Sequence, residues 1–224
     1  MRLLETIAEI LAPTRCAGCE LPGKLLCPSC AQRAFRFSAD ESCPRCGAPF
    51  GALVCTECWE CEFAFEAALS LGELARPLSR AVVLHKDAGE RRLGEVLGRR
   101  LGECVAEQWG PWPSVVTWIP PTRDALRRRG FDHGFALAKP VAEALGVPAE
   151  PLLVRDRAHD QRALGRGARA LNAAGSFQVS GKTASHVLIV DDVLTTGATL
   201  DTASALLLEA GAADVRVAVV ARAW

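Results

Sequence analysis

The chain has no tyrosine, one methionine and few aromatics of any kind, 6% of 224 residues. That scarcity removes the row of interleaved rings on which single strands stack, so nucleic-acid contact cannot be read from aromatic spacing. A charge imbalance is also lacking: 26 Lys and Arg face 26 Asp and Glu, and the formal net charge is zero. A balanced chain has no global attraction to a polyanion or an anionic membrane, so any basic patch must be local. No apolar run is long enough to span a bilayer. The first residues do not read as a signal peptide, because Glu5 and Glu9 interrupt them and no small-residue cleavage site follows. Leu3, Leu4, Ile7, Ile10 and Leu11 have helical spacing instead. They predict a short amphipathic helix packed on protein, since its polar face is not basic. A cytoplasmic protein is expected.

What the chain has in excess is cysteine. Nine of the ten lie between Cys16 and Cys61, eight of them in four Cys-x-x-Cys pairs: Cys16/Cys19, Cys27/Cys30, Cys43/Cys46 and Cys55/Cys58. In a reducing compartment such pairs read as metal ligands rather than disulfides. Each pair sets two thiolates on one knuckle turn, and two knuckles complete a tetrahedral four-sulfur site suited to Zn2+. Two structural zinc sites are therefore expected. Nearest-neighbour pairing gives Cys16, Cys19, Cys27 and Cys30 in one and Cys43, Cys46, Cys55 and Cys58 in the other. An interleaved pairing fits the same spacing. Cys58/Cys61 is a competing knuckle, but Cys58 keeps the two half-sites alike. The segment is otherwise poor in apolar residues, so metal should supply its folding energy. Redox use of a single reactive dithiol fits four spaced pairs poorly.

Half of the residues are hydrophobic, enough for one medium domain beside a small one. The boundaries expected are 1–62 for an N-terminal helix and the cysteine region, and 63–224 for the main domain, with 63–110 as a helical connector. Leu74, Leu78 and Val82 suggest helix, broken at 84–89. A longer helix follows from Arg91 to Gln108, with Leu93, Val96, Leu97, Leu101, Cys104 and Val105 on one side. Gly94, Gly98 and Gly102 recur every four residues, a stripe that weakens an isolated helix but permits close packing. A strand is expected at 114–119. Pro120, Pro121, Thr122 and Arg123 then turn the chain at its C-terminal end, where open α/β sheets bind ligands. A helix over 131–145 leads to short strands at 152–154 and 177–179. Between them runs a basic excursion carrying Arg155, Arg157, Arg162, Arg166 and Arg169. A long arginine-bearing loop between two strands suits a lid over a polyanion.

The densest signal lies at 187–199. Val187, Leu188, Ile189 and Val190 read as a buried strand, followed by Asp191 and Asp192, the small-residue loop Thr195, Thr196, Gly197, Ala198 and Thr199, and a helix-like run over 200–210. A strand that delivers such a loop to a helix N-terminus makes an anion site, since free N–H groups and the helix dipole converge there. The two acids repel a phosphate and suit sugar hydroxyls or a divalent cation beside it. Together they describe a ligand with a phosphate, a polyol and Mg2+.

Residues 190–199 resemble the phosphoribosyl-pyrophosphate (PRPP) binding motif of type I phosphoribosyltransferases. The order of the whole chain resembles the ComF/GntX family. The resemblance is carried by the four cysteine pairs, His85-Lys86, Ile119-Pro120-Pro121, Arg129-Gly130-Phe131, Gln161 with Arg169 and Asn172, the 187–199 stretch and Ala221-Arg222. Where the family pattern has Asn-Gln after Arg-Gly-Phe, this chain has Asp132-His133. The resemblance implies an α/β fold: a type I phosphoribosyltransferase-like parallel sheet with helices on both faces, plus a small N-terminal double zinc ribbon. It also implies PRPP or a related ligand bound with Mg2+, single-stranded DNA and competence-machinery proteins as partners, and DNA uptake as the setting. In the transfer chemistry so implied, Thr195 to Thr199 would cradle the 5′-phosphate, and Asp191 and Asp192 the ribose. Pro121, Thr122 and Arg123 would meet the pyrophosphate, and a lid arginine would neutralise it as it leaves.

Overall fold

A computed structural model describes residues 13–36, 38–49, 51–155 and 177–223. The helix expected over residues 3–11 and the lid residues Arg157, Arg162, Arg166 and Arg169 lie outside the described residues. In chain order the elements are α1 (Pro28–Ala34), α2 (Thr56–Trp59), β1 (Ala67–Glu73), α3 (Leu78–Lys86), α4 (Arg92–Trp109), β2 (Val115–Trp118), α5 (Arg123–Arg129), α6 (His133–Leu145), β3 (Leu153–Arg155), β4 (Phe177–Val179), β5 (His186–Leu194), α7 (Ala198–Glu209) and β6 (Asp214–Arg222).

β5 and β6 form the centre of a parallel sheet of order β1-β6-β5-β2, while β3 and β4 make a separate antiparallel pair. Val187, Leu188, Ile189 and Val190 are all fully buried, although their side chains alternate between the two faces. A run that is apolar without alternation is what a parallel strand covered on both sides requires. On one face Leu188, Val190 and Val220 pack with Leu97 and Leu101 of α4 and Leu137 of α6. On the other, Val187, Ile189 and Val217 pack with Leu200, Ala203 and Leu207 of α7.

The glycine stripe is where α4 meets α6. A Cβ at Gly98 would stand 2.5 Å from both Leu137 O and Pro140 Cγ, and one at Gly102 would stand 2.7 Å from Ala144 Cβ. Alanine at position 98 would gain up to about 1 kcal/mol of helix propensity. The clash with a backbone carbonyl outweighs that gain, because the carbonyl cannot rotate aside. Gly98→Ala is therefore expected to destabilise the fold by about 1–3 kcal/mol, read as a lower urea midpoint at unchanged slope.

The stretch 63–110, expected as a helical connector, contributes a strand. β1 pairs in parallel with β6 from Ala67↔Arg216 to Glu73↔Arg222. Its outer edge is covered by the cysteine-rich region: Ala68 N–H donates to Pro44 O at 3.3 Å and Ser70 Oγ to Gly47 O at 3.0 Å. Gly72 lies so close under Ala34 O that no side chain fits between. The N-terminal region thus protects a sheet edge that would otherwise template pairing with another chain. The break expected at 84–89 also falls later, since α3 runs through His85 and Lys86. The turn after β2 passes directly into α5, which takes up the run Arg127, Arg128 and Arg129.

Candidate functional site

β5 extends through both acids to Leu194, so Asp191 and Asp192 leave the strand on opposite faces. Asp191 is half-buried, and its Oδ1 accepts the Asp192 N–H at 2.9 Å. Burial pushes its pKa up to about 7, and the Asp192 charge adds to the rise. Gly197 then turns the chain with φ +83°. A Cβ there would stand 2.8 Å from the Phe63 ring, so glycine is needed for both conformation and space. Thr195, Thr196 and Thr199 are exposed around a hollow of about 50 Å3 at the start of α7, which Asp191 and Ala198 also line. The first N–H groups of a helix have no intrahelical partner; the residues that carry them here, Ala198, Thr199 and Leu200, line that hollow, and the Ala198 N–H reaches Thr196 Oγ1 at 3.5 Å.

The turn after β2 stands alongside. Trp118 pairs with Val190, and Ile119 N–H donates to Val190 O at 3.4 Å, so the turn that begins at Pro120 leaves the sheet at the level of Asp191. Thr122 caps α5, its Oγ1 accepting the Ala125 N–H at 3.1 Å. Arg123 is exposed. Arg155, the one lid arginine among the described residues, donates to Pro120 O at 2.9 Å and lies over the Phe177 ring. Its charge is close enough to oppose the rise in the Asp191 pKa.

Asp192 occupies a different environment. It is 4% exposed. Lys86 Nζ stands 2.5 Å from its Oδ2, away from the direction a good hydrogen bond takes, so the contact is an ion pair first. His133 Nε2 is 3.7 Å from the same oxygen. Arg129 Nη1 lies 3.2 Å from His133 Nδ1. A guanidinium only donates, so Nδ1 accepts and the imidazole proton sits on Nε2, facing Asp192. Burial holds the His133 pKa down at about 4; the Asp192 charge opposes this, while Lys86 and Arg129 reinforce it. Arg129 also donates to Asp87 Oδ1 at 3.0 and 3.2 Å. His85 Nε2 donates to His133 O at 3.2 Å, and its buried Nδ1 makes no well-formed hydrogen bond among the described residues. Asp132, where the family pattern has Asn, caps α6 through Phe135 N–H and accepts from Trp118 Nε1, both at 3.0 Å. In the sequence Lys86 stands out only within the segment His85-Lys86, and His133 is assigned no role. Their shared partner Asp192 lies 106 and 59 residues away in the chain, so no local pattern joins them to it.

The cysteines form two groups, Cys16/Cys19/Cys27/Cys30 and Cys43/Cys46/Cys55/Cys58, each with all sulfurs within 4.8 Å of one another. The nearest-neighbour pairing is the one the fold brings together. Cys58 is buried inside its group, while Cys61 is exposed. Four thiolates at about 2.3 Å from a Zn2+ ion stand about 3.8 Å apart, and Cys46 Sγ lies 3.8 Å from Cys55 Sγ, as Cys19 Sγ does from Cys27 Sγ. Backbone N–H groups of Gly18 and Cys27 point at Cys16 Sγ, and that of Cys55 at Cys43 Sγ. Burial works against the Cys16 thiolate, yet such donors hold its pKa at about 6. The donor set therefore fits Zn2+ in both groups, where the metal would act as a structural cross-link. Arg222 ties the second group to the phosphate loop. Its Nη1 donates to Thr195 O at 2.7 Å and Leu194 O at 3.3 Å, its Nη2 faces Glu57 at 3.5 Å, and its charge is close enough to favour the Cys46 thiolate.

The phosphoribosyl transferase domain family matches residues 132–223. The DNA utilization protein YhgH of Salmonella typhi is 31% identical over 221 residues, 93% of this chain and 96% of that one. Competence protein F of Haemophilus influenzae is 26% identical over 210 residues, 88% and 90% of the two chains. Competence protein ComFC of Streptococcus pneumoniae is 27% identical over 197 residues, 85% and 84%. Among solved structures, a glutamine PRPP amidotransferase from B. subtilis aligns over 56% of this chain and 26% of its own, with a TM-score of 0.40 and 26% identity. Among the described residues, no helix is long and apolar enough to cross a membrane. With two four-cysteine groups leading into a phosphoribosyltransferase-like sheet, and a relative matching over almost its whole length, the chain belongs to the ComF family.

Proposed function

We propose that the chain binds PRPP or a closely related phosphoribosyl ligand with Mg2+ at the end of β5, in the service of DNA uptake. The observation that carries this reading is the placement of Asp191 between an open helix N-terminus and the turn after β2. A phosphate in the loop of Thr195, Thr196, Gly197, Ala198 and Thr199 leaves ribose hydroxyls within reach of Asp191. The pyrophosphate then extends toward Pro121, Thr122 and Arg123, with Arg155 behind the turn. Mg2+ would neutralise charge on the pyrophosphate. In a transfer reaction the pyrophosphate leaves the anomeric carbon as a nucleophile arrives, and the chain's part is to position the ring and stabilise separated charge. The relatives named for DNA utilization and competence support the cellular setting, with single-stranded DNA and competence-machinery proteins as partners.

One observation favours a second reading, a PRPP-sensing regulator that binds without turnover. Asp192, the second acid of the motif, is engaged by Lys86 and buried rather than facing the ligand. Titration calorimetry with PRPP and Mg2+ tests binding. Release of pyrophosphate in the presence of bases or oligonucleotides separates the two readings. Absence of PRPP binding, or binding unchanged by Asp191→Asn, removes both.

The pH dependence follows from Asp191. With a pKa near 7 in the fold and about 3.9 in the unfolded chain, the folded state holds the extra proton between those values. The stability this group contributes is present at acid pH and lost as pH rises through about 7. Ribose hydroxyls donate best to the carboxylate. Affinity for PRPP is therefore expected to rise as pH goes from 6 to 8, with a proton released on binding. Calorimetry in buffers of different ionisation enthalpy measures that proton, and Asp191→Asn should abolish both effects.

A further inference from the structure

Among the described residues one carboxylate lines the hollow at the start of α7, that of Asp191. The acids nearby are turned to the protein instead. Asp192 leaves β5 on the opposite face, where it is buried against Lys86 Nζ at 2.5 Å and His133 Nε2 at 3.7 Å. To reach a sugar beside Asp191 it would have to cross the strand and leave the Lys86 ammonium without its counter-charge. Asp201, in the first turn of α7, accepts the Ala64 N–H at 2.6 Å. Glu57 lines a neighbouring hollow beyond Thr195 and Thr196, 3.5 Å from Arg222.

Asp191 itself is partly committed. Its Oδ1 accepts the Asp192 N–H at 2.9 Å, which leaves Oδ2 for a ligand. One charged oxygen holds one hydroxyl firmly, and a second hydroxyl only by sharing. The other lining groups do not make up the number. Val193, Leu194 and Leu200 are apolar, and Thr195, Thr196 and Thr199 surround the phosphate position. In a furanose 5-phosphate the 3-hydroxyl stands one carbon closer to the phosphate than the 2-hydroxyl. With the phosphate in the loop, the 3-hydroxyl therefore meets Asp191 first. A site rejects a sugar that lacks a hydroxyl when the absence leaves a buried polar group unpaired. Asp192 would be that group, but Lys86 neutralises it whether or not a sugar is bound.

We propose that this site reads a single sugar hydroxyl, the 3-hydroxyl, through Asp191, and therefore admits 2-deoxyribose 5-phosphates as readily as ribose 5-phosphates. The ion pair with Lys86 is the specificity determinant, because it withdraws the second acid that would otherwise hold the 2-hydroxyl. The ligand class then extends to the sugar phosphate of DNA. The inference rests on the phosphoribosyl reading of the loop and widens it.

Calorimetry on the full-length, zinc-loaded protein compares inorganic phosphate with ribose 5-phosphate and 2-deoxyribose 5-phosphate, each sugar as its methyl furanoside so that the ring stays closed. Both sugars are expected to bind more tightly than phosphate and within about threefold of each other. A 2-hydroxyl with its own charged acceptor would be worth about ten- to a hundredfold. A ribose preference above that threefold margin in the parent overturns the inference and leaves the phosphate loop intact. Asp191→Asn should weaken both sugars by the same factor, and Asp192→Asn should leave their ratio unchanged. A cooperative urea transition identifies variants that remain folded. If Asp192→Asn weakens the ribose form alone, Asp192 reaches the 2-hydroxyl and the inference fails. It also fails if neither sugar binds more tightly than phosphate, since no hydroxyl is then read. If none of the three binds, the loop reading falls and this inference falls with it.

Discussion

Cys58→Ala is expected to lower the zinc content from two ions per chain to one, to unfold the second cysteine region and to weaken ligand binding at a loop more than a hundred residues away. Among the described residues, the apolar group around Cys43, Cys46, Cys55 and Cys58 contains only Ala48 besides the four cysteines, with Val54 and Phe63 packed against it. That is too little buried surface to hold a knuckle pair. In comparable peptides structural zinc supplies on the order of 10–16 kcal/mol, far more than one or two partly buried side chains contribute. The distant effect runs through Arg222. This guanidinium is 4% exposed and always charged. Beside it, on the side of the cysteine region, lie the Cys46 thiol and Glu57, and at its other end are the carbonyls of Leu194 and Thr195. Loss of the second group leaves a buried cation short of negative charge, and the loop it braces loses its anchor. Cys61→Ala should leave both zinc ions in place. Native mass spectrometry of the two variants decides, and the reverse result would mean that Cys61, not Cys58, completes the site.

How far the sequence could be read depended on whether a signal was local. The stretch 187–199 carried strand, acids, loop and helix within thirteen consecutive positions, and the fold places them as the order implies. The cysteine pairs were equally local, and only the partner of each pair needed three dimensions. The glycine stripe predicted close packing without naming α6 as the neighbour. β1 was missed because Ala67, Ala68, Ser70 and Gly72 are small. They suit a strand whose edge is covered by Pro44, Gly47 and Ala34, and no periodicity within the strand reveals that cover. The cluster of Lys86, Arg129, His133 and Asp192 joins three distant parts of the chain. Lys86, Arg129 and His133 each look like solvated surface when taken alone, and only burial joins them to Asp192. Phe63 belongs to the same class: its place over Gly197 depends on how the cysteine region docks.

That cluster carries the other large effect. Lys86→Met is expected to destabilise the fold by about 3 kcal/mol, because it leaves the Asp192 carboxylate buried beside a neutral imidazole. Asp192→Leu should cost less, about 1–2 kcal/mol, since the Lys86 side chain is 30% exposed and its ammonium can rehydrate. The double variant removes both charges together. Its loss should fall short of the sum of the singles by about 1–2 kcal/mol, the signature of a coupled pair. A structural crowding effect would give additive losses instead. The pH dependence separates the cases further. In the parent, the depressed His133 pKa means that its contribution is present above about 6.5 and lost as pH falls toward 4. Without Lys86, one cation that disfavours the imidazolium is gone, and His133 becomes the natural counter-charge to Asp192. Its folded pKa then rises, and the sign reverses: stability is gained at low pH and lost as pH rises through that new value. The gap in urea midpoint between Lys86→Met and the parent should therefore shrink between pH 7.5 and 5.5. A gap that stays constant would mean that His133 does not sense Lys86, and that the 3.7 Å contact with Asp192 is packing alone.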